Sequence, residues 1–292
     1  LIVENEIRPA ICEYEAAKAL SDIAVRKNKT CHIHIKIDTG MSRIGLQVTE
    51  ESADLVAKIA QLPGIEIEGI FTHFATADEK DRSKTRKQYE DFCDFTEKIE
   101  SELKLHIPMK HCANSASIVE MPQMHMDAVR AGIILYGLWP SASVQKDHQI
   151  DLYPVLSLKT RVVYVKTVPA GQEISYGGTF TTSRDTRVAT VCIGYGDGYP
   201  RSLSNIGYVL IKGQKAKILG RVCMDQFMID VTDIRGEICV GDVVTLIGRD
   251  GDQTITMEEL GELSGRFNYE LACDLGKRIP RIYKIDDTLI NE

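Results

Sequence analysis

Up to about residue 150, the strand-like runs of this sequence are mostly separated by helical stripes; beyond it they follow one another with only turn pairs between them. This change of rhythm constrains the fold more than any composition figure. Strands joined through helices run parallel, whereas strands joined through tight turns run antiparallel. In the front part "EIRPAIC" reads as a strand, followed by a helix from Tyr14 to about Lys27 with Ala17, Leu20, Ile23 and Ala24 on one face. "CHIHIKID" is the next strand. Thr49 precedes Glu50 and Glu51, acids suited to a first helical turn, and Leu55, Val56, Ile59 and Ala60 form a stripe that "PG" ends. "IEIEGIFTHF" reads as a third strand. A long charged helix follows, with Tyr89, Phe92, Phe95, Ile99 and Leu103 spaced by three and four, and "MKHCANS" and "DAVRAGIILYG" supply two further short strands. The expectation over 1–150 is about five βα units of a parallel α/β sheet or barrel; a complete (β/α)8 barrel would need three more.

From Leu152 onward, "VLSLKTRVVYVKTV", "TRVATVCIGYG", "GYVLIKGQKAKILG", "FMIDVTDI" and "DVVTLIG" are strands set apart by turn pairs such as Lys212-Gly213 and Asp250-Gly251. Residues 151–292 therefore read as an all-β antiparallel domain of the kind that can close into a barrel. One late helix, "TMEELGELSG", and a strand in "RIPRIYK" finish the chain, and "WPSASVQKDHQIDLYP" reads as the linker.

Several function classes are disfavoured. A net charge of −7 with no basic cluster gives no footprint for nucleic acid. The longest apolar run, "AGIILYGLWP", is too short to cross a bilayer, so no membrane is expected for this segment. Eight cysteines form no C-x-x-C pair, and Cys12, Cys31, Cys192, Cys223 and Cys239 lie in apolar strand-like runs. They read as small buried hydrophobes of a reducing, cytoplasmic protein, without a zinc site or other metal.

The stretch "HIHIKIDTGMSRIG" carries ionisable chemistry on one side of a strand: His32, His34, Lys36 and Asp38 alternate with Cys31, Ile33, Ile35 and Ile37, and Arg43 follows the turn. Active sites of α/β barrels collect at the carboxyl ends of the strands. There this sequence places Arg43, then His73 in "THFATADE", Asn114 and Ser115 in "HCANSAS", and Arg130 in "VRAGIILYG". Ser115 with Gly132 suits a phosphate site built from small residues and backbone N–H groups. A glycine that only permits close packing is the alternative at Gly132.

These motifs, with "ISYGGTF", "IGYGDGYPR", "GRVCMDQFMIDVT" and "NYELACDLGKRIPRIY", resemble the alanine racemase family of fold-type III pyridoxal-phosphate enzymes along the whole chain. The resemblance implies pyridoxal 5'-phosphate as cofactor and alanine as substrate. It implies interconversion of L- and D-alanine by two bases, supplying D-alanine for peptidoglycan, in a homodimer whose active sites are shared between subunits. It assigns Tyr176 as a base donated across the dimer, with His73 and Arg130 in a hydrogen-bond relay and Arg130 at the pyridine nitrogen. Ser115, Gly132, Ile133 and Tyr269 would hold the phosphate. Arg43 would meet the cofactor's phenolic oxygen and the substrate carboxylate, the Met224 backbone would contact that carboxylate, and Tyr195 would line the entrance. Lys36 matches a lysine that some members carry as a carbamate, which would position Arg43; an ordinary lysine there would set a second cation near Arg43.

Three alternatives accompany this reading. A serine or dual serine/alanine racemase is opposed by Tyr269, where serine-preferring relatives often carry Asn. A decarboxylase of the same two-domain plan is opposed by Arg130, where an acid would be needed. A non-catalytic cofactor-binding fragment is the third. The sequence departs from the family in one respect: the Schiff-base lysine, in a motif like "KANAYGHG", is absent. Three missing βα units correspond to roughly 90 residues at about 30 each. The sequence thus reads as a fragment of a longer racemase, unable by itself to form the Schiff base with the cofactor.

Overall fold

The computed structural model describes residues 1–147, 150–285 and 288–289. Two compact units divide the chain: Leu1–Leu135 with Trp139–Asp151, and Tyr136–Leu138 with Leu152–Glu292.

The first unit is a parallel sheet with helices. β1 (Ala10–Ile11) leads into α1 (Tyr14–Lys27), then β2 (Cys31–Asp38), β3 (Leu46–Gln47), α2 (Glu50–Ala60), β4 (Ile65–Phe71), α3 (Ser83–Glu102), β5 (Met109–His111) and α4 (Ser115–Glu120). The sheet order is β1-β2-β4-β5, with β3 on the end of β2, all parallel. Helix α2 starts where Thr49 accepts a hydrogen bond from the Ser52 N–H. Ile33, Ile35 and Ile37 of β2 are fully buried in one core with Ala17 and Ala24 of α1, Val56 and Ile59 of α2, and Phe92, Phe95 and Ile99 of α3. The apolar half of the β2 alternation thus faces the helices.

Strand β4 does not alternate regularly. Ile33 lies opposite Ile67, yet His34 lies opposite Gly69, so Glu68 is an extra, bulged residue. Without the bulge, Ile70 would share a face with Glu66. With it, Ile70 joins the fully buried core, while Gly69 and Phe71 fall on the polar face, level with His34 and Lys36.

The expected strand in "DAVRAGIILYG" is not formed. Its backbone is engaged by the preceding loop instead: the Arg130 N–H donates to Ala113 O and the Gly132 N–H to Ser115 Oγ. A single 3-10 turn, Ile133–Tyr136, follows. The expected linker is also partly structured. It contains α5 (Ala142–Asp147), whose Val144 is buried and whose Ser143 hydroxyl donates to Asp78 O, as does that of Ser141 just before it. His148 and Gln149 of that stretch lie outside the described residues.

The second unit is a closed barrel. Its strands are β6 (Leu158–Val168), the small hairpin β7 (Glu173–Ile174) and β8 (Phe180–Thr181), β9 (Thr186–Val191), β10 (Tyr208–Ile211), β11 (Gln214–Leu219), β12 (Phe227–Asp230), β13 (Val243–Asp250) and β14 (Gln253–Ile255). Pairing runs β10-β11-β12-β9-β6-β13 and returns to β10, all antiparallel, so six strands leave no open edge between them. The β10–β11 turn, Lys212-Gly213, has φ of +52° and +71°, the backbone a two-residue hairpin needs.

Helix α6 (Met257–Ser264) is capped by the Thr256 hydroxyl. It is followed by α7 (Asn268–Asp274), which the sequence reading left out. "RIPRIYK" is not a strand: the Arg281 guanidinium donates to the carbonyls of Leu275, Gly276 and Ile279 and folds the segment on itself. Among the described residues that follow, Lys284–Ile285 pairs with Thr288–Leu289. All eight cysteines are free thiols, but Cys192 and Cys239 are exposed rather than buried. Cys192 lies just past the end of β9, and the Cys239 N–H is taken by the Asp242 carboxylate in a turn.

Candidate active site

Where the polar faces of β2, β4 and β5 meet, the side chains interlock. His111 stacks on Phe71, ring centroids 4.9 Å apart and ring planes nearly parallel. Arg130 lies over the same Phe71 ring at 5.1 Å, and the Lys36 amine at 5.6 Å. The Arg130 guanidinium is the centre of the cluster. Its Nη1 reaches His111 Nδ1 at 2.7 Å; its Nη2 donates to Thr72 O at 2.8 Å and reaches His73 Nδ1 at 3.3 Å. The carbonyls of His111 and Cys112 also accept from it, each at 3.3 Å. His111 Nε2 lies 2.8 Å from His34 Nδ1, and His34 Nε2 lies 3.3 Å from the Glu68 carboxylate.

The His34 ring fits only because residue 69 lacks a side chain. A Cβ on Gly69 would sit 2.5 Å from two of its atoms.

Electrostatics follow from crowding cations in a half-buried place. Burial, with Arg130, Arg43 and Lys36 nearby, depresses His73 to about 4. Burial and Arg130 likewise depress His111 to about 4. Both imidazoles are therefore neutral near pH 7. Lys36 is almost fully buried and donates to Ile37 O; burial, Arg130 and Arg43 outweigh Asp38 and bring its amine down to about 8. Asp38 serves the turn: its Oδ1 accepts the Gly40 and Ser42 N–H groups, both at 3.0 Å. Burial raises this carboxyl, but those N–H groups outweigh it and hold it below the usual range. Arg43 itself, beyond that turn, is exposed.

Ser115 and Gly132 come together as well. The Ser115 hydroxyl is buried at the start of α4 and accepts the Gly132 N–H at 2.9 Å, with Ile133 buried alongside in sequence. Asn114 is half-buried, and its side chain is engaged in capping α4 reciprocally with Ser117.

In the second unit Tyr176, Tyr195 and Met224 are open to solvent, while Tyr269 is half-buried. Tyr176 is 71% exposed and Met224 54%. Tyr176 follows Ser175, which holds φ +68° and ψ −177°, a combination that costs a residue with a Cβ about 1–3 kcal/mol. Ser175 is kept there by its hydroxyl, which donates to Arg221 O at 2.7 Å. Tyr195 and Met224 lie on two loops laced by backbone bonds, Tyr195 N–H to Cys223 O and Gly196 N–H to Met224 O. Arg278 ties the same loops, with Nε to Asp197 and Nη2 to Asp225, both at 2.6 Å. Tyr269 stacks on Phe267 at the start of α7, ring centroids 4.4 Å apart.

Comparison with known proteins decides the family. Residues 1–140 match the model for the alanine racemase N-terminal domain and 155–283 that for the alanine racemase C-terminal domain. The chain belongs to the alanine racemase family. The alanine racemase of Methanococcus maripaludis is 47% identical over 282 residues, 97% of this chain and 74% of the relative. The solved alanine racemase of Clostridium difficile 630 superposes with a TM-score of 0.91 at 39% identity, over 99% of this chain and 74% of that one. That of Bartonella henselae, solved with covalently bound pyridoxal phosphate, superposes with a TM-score of 0.81 at 30% identity, over 97% and 75%. The architecture of a barrel-type parallel α/β unit followed by a β domain is thus the alanine racemase fold.

Sequence reading missed His111, Glu68, Ser175 and Arg278. His111 stood in the quoted "KHCANS", one strand residue before the loop, and its parity with Phe71 was the available signal. Nothing local marked the others, because a bulge, a positive φ and a link across more than fifty residues leave no periodicity.

Proposed function

We propose that this protein interconverts L- and D-alanine with pyridoxal phosphate, by abstracting the α-proton on one face and returning a proton on the other. Family membership supports the reaction, and the Arg130 cluster carries the assignment of roles: a guanidinium held by two neutral imidazoles and three carbonyls is a fixed cation that cannot release its proton. The residues fit the cofactor. At Gly132 an added Cβ would crowd Ser115 Oγ at 3.3 Å, so the glycine keeps room beside that hydroxyl for a phosphate.

Pyridoxal phosphate, when bound, supplies the electron sink that acidifies the α-proton. Ser115, Gly132, Ile133 and Tyr269 hold its phosphate. Arg130 donates to the pyridine nitrogen without protonating it, which limits side reactions such as transamination. Arg43 binds the phenolic oxygen and, with the Met224 backbone, the substrate carboxylate; Tyr195 lines the entrance. Tyr176 is the base for one face, with Arg130 and His73 in a hydrogen-bond relay with it. The opposite face takes a lysine base by the resemblance. Lys36, with its amine at about 8, keeps a reactive unprotonated fraction near neutral pH. Its nitrogen can add carbon dioxide and release a proton, giving the carbamate that orients Arg43.

The assembly we infer is a cytoplasmic homodimer in which Tyr176 of the partner subunit completes each site. Eight free thiols agree with a reducing compartment. The test is racemisation in deuterium oxide by this chain joined to a segment that carries the Schiff-base lysine absent from its sequence: with pyridoxal phosphate, both enantiomers of alanine should acquire deuterium at Cα and converge to equal amounts. Absence of exchange from either enantiomer by cofactor-loaded protein would overturn the reading.

A further inference from the structure

The contacts around Arg130 fix more than its own place. An arginine only donates, so the atom it meets on each imidazole must accept: Nδ1 of His73 and Nδ1 of His111 carry no proton. A neutral imidazole then has its proton on Nε2. His111 Nε2–H must donate to what faces it, which is His34 Nδ1 at 2.8 Å. His34 in turn has its proton on Nε2, which faces Glu68 Oε2 at 3.3 Å. A carboxylate only accepts, so the chain ends there with no donor or acceptor reversed. Read from the other end, Glu68 demands the same order.

Geometry outside the cluster supports each link. The β4 bulge places Glu68 out of the regular alternation and beside His34, and Gly69 clears the space for the ring. Arg8 also holds the carboxylate, Nε to the same Oε2 at 3.0 Å and Nη2 to Oε1 at 3.4 Å, and Glu68 is held below the usual range chiefly by Arg8. Four side chains from three strands and a loop are thereby aligned in one direction.

We infer that Glu68 and His34 are positioning residues, which fix the tautomer of His111 and through it the orientation of the Arg130 guanidinium. Neither touches substrate or cofactor. Their bearing on catalysis rests on the role proposed for Arg130; their bearing on His111 does not.

The experiment is nitrogen-15 NMR of the histidine side chains in the protein without added cofactor, joined to racemase kinetics of the cofactor-loaded protein supplied with a segment that carries the Schiff-base lysine. Wild-type protein should show His34, His73 and His111 each as a single Nε2–H tautomer. His34→Leu should leave His111 in a mixture of tautomers and lower kcat roughly tenfold with KM for alanine little changed, the size expected when a hydrogen-bonded network loses one member. His34→Gln, whose amide oxygen can accept from His111, should restore the single tautomer and most of kcat. Glu68→Gln, which keeps an acceptor, covers the case in which His34→Leu fails to fold, and should weaken the same signals in part. An Nδ1–H tautomer at His111 in wild-type protein, or an unchanged His111 signal and kcat in folded His34→Leu, would overturn the inference. Correct tautomers in a protein that racemises nothing would support the chain and count against the role given to Arg130.

Discussion

The two units hold their candidate site residues in opposite ways. In the first, Lys36, His111 and Arg130 are wholly or partly buried, and side chain holds side chain. In the second, Tyr176, Tyr195 and Met224 are exposed, and it is the backbone that is held, by the strained Ser175, the laced loops and the Arg278 clasp. A group that must keep a set protonation state needs a built surrounding, because burial and neighbouring charge are what move a pKa. A group that must meet a ligand or a second chain needs only to be presented. The difference separates residues whose work is electrostatic from residues whose work is contact.

The largest expected effect tests the exposed side. Tyr176→Phe should slow α-deuterium exchange from one enantiomer by about 10²–10⁴-fold while leaving binding of either nearly unchanged, since one general base is lost. Mixed with Arg43→Ala chains, it should regain up to about a quarter of wild-type activity, because a mixed dimer has one site with both defects and one with neither. Persistent inactivity after demonstrated subunit exchange would mean that Tyr176 acts within its own chain.

The next effect tests the interlocked side. His73 and His111 sit at about 4 when folded, below the ordinary histidine value. Their folded-state pKa is depressed, so the unfolded chain binds the protons first. The stability they contribute is complete above about pH 6.5 and is lost as pH falls toward 4: about 3 kcal/mol for one such group, and roughly 4–6 kcal/mol for the two once solvent screening is allowed for. Denaturant titrations at pH 7.5 and 5 should differ by most of this in wild-type protein. Equal midpoints in urea would argue against the buried cluster.

Lys36→Met should stabilise the fold near pH 7, by about 2 kcal/mol, while impairing activity. Lys36 also has a depressed folded pKa, so its burial penalty is present where both states are protonated and fades as pH rises from about 8 to above 10. The gain in thermal stability should therefore shrink in alkaline buffer.

The smallest effect lies in the second unit's core, which departs from the contrast. Tyr199 is fully buried against Phe227, and its hydroxyl has no hydrogen-bond partner among the described residues. Tyr199→Phe should raise stability by about 1 kcal/mol by removing an unpaired polar group. A loss of stability on calorimetry would reveal a bond to that hydroxyl.

Much of the fold was legible because its signals are local. The α1 limits follow from the spacing of Ala17, Leu20, Ile23 and Ala24, and the β10–β11 hairpin from Lys212-Gly213. The strand expected around Arg130 failed because an apolar run gives no clue that the Ser115 hydroxyl and Ala113 carbonyl will claim its N–H groups. Within the site, Arg43, His73 and Arg130 could be singled out as polar residues at strand ends, and Lys36 as part of a strand's polar face. Their mutual contacts could not, since the bulge at Glu68 sets which side chains share a level and strict alternation hides it. The exposed thiols of Cys192 and Cys239 were misread for a related reason: each sits at the boundary of a run, where the pattern ends.

Gly69 has a consequence for anyone who would improve this protein. Glycine inside a strand is an obvious target for stabilisation, since a β-branched residue there ordinarily gains about 1 kcal/mol. Here the added carbon would land on the His34 ring. A library screened for heat resistance alone would therefore be free to accept valine at this position, with the imidazole expelled and the strand more regular than before. Such a screen needs an activity filter at residue 69, because the hole in the strand is the part that has been designed.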